Sequence, residues 1–172
     1  APNEAALFVH NPAKDEWVTT KVIMSNIEDE EGRMTGPYAN VFNCLNRDGG
    51  WTKEYTVPLL GLVHAQLCDI QKTVSHNENG NYLDVLPPED KLDPDDSFAE
   101  LMLFYHMNYI HDYFKGTHGF TGMDFPLEGY VNIQAYLEMQ FPLEGIPQGW
   151  ITFDNAMFIP GETFAEVEEL GE

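Results

Sequence analysis

Apolar positions come in short bursts through the first half of the chain. Ala6-Leu7-Phe8-Val9, Trp17 to Ile23, Tyr38 to Cys44, Leu59 to Ile70 and Tyr82 to Leu86 are the main runs. Turn formers separate them: Asn11-Pro12, Gly36-Pro37, Asp48-Gly49-Gly50 and Asn79-Gly80. Short runs of β-branched and aromatic residues bounded by Gly, Pro, Asn and Asp are strand signals. Their regular spacing predicts an antiparallel, sandwich-like β domain over residues 1–86. Asn79-Gly80 suits the tip of a hairpin.

The pattern changes near residue 87. Residues 87–96 are rich in Pro and Asp and read as a linker. Ser97-Phe98-Ala99-Glu100 has capping-box spacing, with Glu100 placed to reach back to the Ser97 amide, and a helix is expected from there to Lys115, stopping at Gly116. On that helix Glu100, Asn108, His111, Asp112 and Lys115 share one polar arc of about 120°, broken only by Phe104. The remainder is so apolar that a core helix, covered on most sides, is expected. Tyr130 to Gln134, Tyr136 to Gln140 and Trp150 to Phe153 then read as strands joined by Pro/Gly turns. The fold class expected is therefore α+β: a β-rich first part followed by a helix-plus-sheet lobe over residues 97–172.

Charge narrows the partners. The chain of 172 residues carries 8 basic and 29 acidic side chains, a net charge of -21. The acid is spread along the whole length, and a surface of that sign repels phosphate backbones and anionic lipid. Nucleic acid is excluded as a partner on that ground. No stretch of about 18 apolar residues is present to span a bilayer. Ala1-Pro2 without an initiator Met suggests a processed N-terminus, which with the cysteine content favours a secreted or extracytoplasmic protein. Cys44 and Cys68 each lie in a strand-like run with no CxxC, so a disulfide is expected, the alternative being two buried thiols.

No catalytic constellation is complete. There is no HExxH, no Gly-rich phosphate loop and no Gly-x-Ser-x-Gly elbow. His106 and His111 stand about 140° apart around a helix and cannot share a metal from one face. His106 reads as a hydrogen-bonded core histidine, and His111, Asp112 and His118 as a loose cluster. Ser75-His76-Asn77-Glu78-Asn79-Gly80 has the oxygen spacing of a calcium loop, but Leu86 stands where the bidentate Glu belongs. Asp90, Asp93, Asp95 and Asp96 could hold calcium from the linker, although acid runs of this kind are usually solvated.

One stretch carries a resemblance. Phe104-Tyr105-His106-Met107-Asn108-Tyr109-Ile110-His111-Asp112-Tyr113-Phe114, with His118-Gly119-Phe120-Thr121-Gly122 after it, resembles the fungalysin and thermolysin-like zinc metallopeptidases. In those enzymes a Phe-Tyr-x-x-Asn-x-x-His-Asp helix precedes a Gly-Phe turn, and Tyr105, Asn108, His111 and Asp112 match that pattern. Asp154-Asn155-Ala156-Met157-Phe158 is similar to the family's Asn-Ala-aromatic edge strand. There the Asn side chain and the Ala backbone hold the substrate main chain as an added strand. The resemblance covers residues 97–160 and implies that Asn155 and Ala156 bind substrate. It also implies that residues 97–172 are the incomplete N-terminal lobe of such a peptidase. Zinc, its ligands and the catalytic Glu are expected only in a downstream part of the same precursor. The expected partners are a peptide or protein substrate and that downstream catalytic part. A non-catalytic extracellular binding module, or an inhibitory or chaperoning prodomain, is the alternative.

Overall fold

A computed structural model describes residues 3–10, 18–46, 50–90, 96–152 and 157–159. Ten strands and one helix lie among them: β1 (Glu4–Leu7), β2 (Thr20–Ile23), β3 (Ala39–Asn46), β4 (Thr52–Val57), β5 (Gly61–Leu67), β6 (Asp69–Gln71), α1 (Phe98–His118), β7 (Leu127–Val131), β8 (Gln134–Met139), β9 (Gly149–Thr152) and β10 (Met157–Ile159). The fold is mixed α+β with mostly antiparallel sheets. β1 and β2 form a two-stranded ribbon, and two four-stranded sheets run in the orders β10-β7-β3-β6 and β4-β5-β8-β9. The sole parallel pair among the described strands is β3 with β7, where Val41 faces Gly129 and Asn43 faces Val131.

A parallel pair needs a long crossover, and α1 lies in this one. It packs on both strands it connects. Gly129 allows the close approach: a Cβ there would stand 2.7 Å from Leu103 Cδ2 and 3.0 Å from Met107 Sδ. Under the helix, Leu7, Met24, Met34, Val41, Tyr82, Leu101 and Phe104 form the centre of one hydrophobic core. Both four-stranded sheets draw strands from either side of residues 87–96: β3 pairs with β7, and β5 pairs with β8.

The sheets meet at a corner. β5 passes into β6 through Cys68, and β7 passes into β8 through Asn132, whose φ of 56° turns the chain. Cys68 is bonded to Cys44 on β3, with 5.4 Å between their Cα atoms. The loop so closed is worth roughly 3–4 kcal/mol on the chain-entropy account. Around it, the Asn132 amide donates to Asn43 Oδ1 at 3.0 Å and to the Asp96 carbonyl at 2.6 Å. Gln134 Nε2 reaches the Cys44 carbonyl at 3.3 Å.

The helix begins where expected but is capped differently. Asp96 Oδ1 accepts from the amides of Phe98 (2.7 Å) and Ala99 (3.2 Å), and Ser97 makes no side-chain cap. Glu100 does not close a capping box. It points into the protein, where it accepts from Thr73 N, Thr73 Oγ1 and Val74 N. The helix also runs past Gly116 and stops at Gly119, whose φ of 64° supplies the left-handed residue. Tyr82 to Leu86, read as a strand from its apolar run, is a turn instead. Tyr82 is wholly buried and donates its hydroxyl to the Gly32 carbonyl at 2.7 Å.

Candidate functional site

Of the α1 residues that match the peptidase pattern, Asn108 and His111 face inward, whereas Tyr105 is half-buried and Asp112 is exposed. Glu100, Asn108 and His111 are buried. Tyr109, Ile110, Tyr113 and Phe114, on the apolar side, are exposed by 61%, 49%, 50% and 42%. The expected core helix is therefore covered along its first half only. Burial of the polar arc costs little because each group has a partner. Asn108 accepts from Asn26 Nδ2 at 3.0 Å and donates to the Phe104 carbonyl at 2.9 Å. Among the described residues no buried side-chain nitrogen or oxygen lacks a hydrogen bond.

His111 is held on every side. Its ring stacks on Tyr38 with centroids 3.6 Å apart. Nε2 lies 2.7 Å from Asp124 Oδ1 and Nδ1 lies 3.1 Å from Asp112 Oδ1. Lys115 completes the group, donating to Asp124 Oδ2 at 2.8 Å and to the Tyr38 hydroxyl at 3.3 Å. Lys115, and after it His111, hold the Asp124 carboxyl below the usual carboxylate range. The same contact with Asp124, supported by Tyr38, raises the Lys115 ammonium. Both ring nitrogens of His111 are thus engaged within the cluster, and neither is turned toward an open position. The cluster ties Asp124, beyond the helix end, back to His111 and Lys115.

The other histidines follow suit. His106 Nε2 donates to the Phe8 carbonyl at 3.0 Å, as a core histidine would. His118 leaves the His111 cluster and lies against Tyr113 and Phe114. In the 75–80 stretch the Asn77 side-chain oxygen accepts from the amides of Asn79 and Asn81, both at 3.0 Å, so it caps a local turn. That turn joins no pair of strands, unlike the hairpin expected. No group of three or more His, Cys, Asp or Glu among the described residues is arranged to hold a metal ion. Of the linker acids, Asp93 and Asp95 fall outside those residues.

No protein-family model, curated protein or solved structure matches the chain.

Asn155 and Ala156 lie outside the described residues. The strands on either side of them are described. β9 is the outer strand of β4-β5-β8-β9, pairing with β8 through Trp150 opposite Tyr136, and β10 is the outer strand of β10-β7-β3-β6.

A second surface is built by strand pairing. In the β4-β5-β8-β9 sheet, register aligns Glu54, His64 and Glu138 in one cross-strand row and Gln66, Tyr136 and Trp150 in the next. These side chains line a groove of about 590 Å³. Its signal was available as polar and aromatic residues at alternate positions, His64 and Gln66 on one strand and Tyr136 and Glu138 on another. Only the pairing shows that they share a face.

Proposed function

We propose that the chain is the N-terminal part of a secreted zinc metallopeptidase, inactive alone, which supplies one wall of the cleft and the strand that holds the substrate backbone. The observation that carries this reading is the outer position of β9, which leads directly into Asp154-Asn155-Ala156. An edge strand presents unpaired amides and carbonyls, and an extended peptide adds to it as a further strand. The aromatic Tyr105-x-x-Asn108-x-x-His111-Asp112 helix supports the same reading, as a structural element that braces the lobe. A disulfide, and the lack of any described helix long and apolar enough to cross a membrane, are compatible with an exported protein.

Zinc would be supplied by a downstream part of the precursor, since the described residues offer no ligand set for it. When bound there it would activate water and polarise the scissile carbonyl. The contribution of this chain is to bind and orient: the Asn155 side chain and the Ala156 backbone align the peptide main chain beside the reacting centre. The test is to express the precursor reading frame past Glu172 and assay it on casein. Chelator-sensitive hydrolysis by the longer product, and none by residues 1–172 alone, is expected. A precursor with no zinc motif and no peptidase activity overturns the reading.

A further inference from the structure

The groove on the β4-β5-β8-β9 sheet has the composition of a cation site. Two carboxylates, Glu54 and Glu138, flank its centre, and the lining contains no lysine or arginine. Its floor is aromatic: the Tyr136 ring meets the His64 ring and the Trp150 ring, each with centroids 5.7 Å apart, in edge-on arrangements. The acids are positioned rather than waving. Glu54 Oε1 lies 3.4 Å from His64 Nδ1, and Glu138 Oε2 accepts the Tyr136 hydroxyl at 2.8 Å. An ionised carboxylate has about four acceptor sites, so each keeps capacity for an incoming donor. Three of the four strands fix the row Glu54–His64–Glu138 by register, so the two acids stand on either side of His64 on one sheet face.

We infer that this groove binds the guanidinium of an arginine side chain presented by a peptide or protein. A planar, weakly hydrated guanidinium stacks on aromatic faces and donates in a fork to carboxylates, and both partners are present here within one concavity. The net charge of -21 draws basic segments toward the surface before contact. A saccharide would use the same aromatic floor and could donate hydroxyls to the acids, but it carries no charge to match them. The inference stands apart from the peptidase reading, since it requires no downstream part.

The test uses residues 1–172 and N-acetyl-arginine amide, followed by two-dimensional NMR. Saturable shifts are expected at the Trp150 indole N–H and along β5 and β8, with affinity on the order of millimolar for so small a probe. N-acetyl-citrulline amide, of the same shape without charge, should bind at least about tenfold more weakly. Glu54→Gln and Glu138→Gln should each weaken the arginine probe about fivefold, and the double variant should bind no better than citrulline. Equal binding of arginine and citrulline probes would overturn the assignment, as would unchanged affinity in the double variant or no saturable binding. Saturable shifts of the same residues by maltohexaose, and none by the arginine probe, would overturn it in favour of a saccharide site. The probe comparison needs only the unmodified protein, so it stands even if a variant fails to fold.

Discussion

The helix with its core and the β4-β5-β8-β9 sheet use the same residue types to opposite ends. Glu100 and His111 on α1, and Tyr82 in the core it covers, are buried and their polar atoms are satisfied within the protein. On the β4-β5-β8-β9 sheet, Glu54, His64 and Tyr136 lie on an open face, with a groove above them. Residue identity therefore does not separate structural from ligand-binding chemistry here; exposure does. The helix that looked richest in chemistry from its histidines and acids is the braced part of the molecule. The plainer alternating strands carry the accessible site.

The contrast can be broken from its buried side first. Phe104 is fully buried under α1, and Phe104→Ala should cost about 3–5 kcal/mol in denaturant unfolding. Removing the Cys44–Cys68 bond by Cys44→Ala should cost roughly 3–4 kcal/mol. Intact mass after alkylation without reduction should meanwhile show no free thiol in the native protein. Two alkylatable thiols would contradict the bonded corner.

Lys72 sharpens the comparison through pH. Its ammonium donates to the Met34 and Val41 carbonyls and to Asn40 Oδ1 at 2.7–2.9 Å, and lies 4.4 Å from the Phe42 ring centroid. Burial pulls it down to about 8 from 10.5, against the opposing pull of Glu100. A depressed folded value means a contribution fully present above 10.5 and lost as pH falls through 8. The unfolding free energy should thus carry a component that rises across that window. Subtracting the profile of Lys72→Met, which will be less stable throughout, should isolate it. Parallel profiles would show that Lys72 titrates alike in both states.

The open face should respond least. Tyr136→Phe loses the hydroxyl contact with Glu138 but little burial, and should change stability by no more than about 0.5 kcal/mol. A large loss there would mean that the open sheet is as structurally committed as the covered one.

Local features were the legible ones. Turn residues marked some strand ends, Ser97 marked the helix start within a residue, and the two cysteines announced their bond. β4, however, was not read, and the β7–β8 turn falls inside the strand expected over Tyr130 to Gln134. What could not be read is non-local. Asp96 displaces Ser97 as cap because Glu100 has a better partner in Thr73, 27 residues away in sequence. The polar arc turns inward because Asn26 and Asp124, both remote from its centre, wait to satisfy it. Likewise, apolar runs on either side of residues 87–96 gave no sign that β3 would choose β7 and β5 choose β8. Trp150 to Phe153 was legible as a strand, whereas its neighbours and the groove beside it depend on register and stayed hidden.

The central functional claim rests on the segment that follows β9, and one substitution addresses it directly. Asn155→Ala in the full-length precursor should leave folding intact and lower kcat/KM for peptide substrates by about 1–3 kcal/mol of transition-state binding, through a lost hydrogen bond and an unmet substrate group. At 1.4 kcal/mol per decade that is a loss of about fivefold to somewhat over a hundredfold. An unchanged kcat/KM in a folded, active enzyme would contradict the claim that this edge holds the substrate.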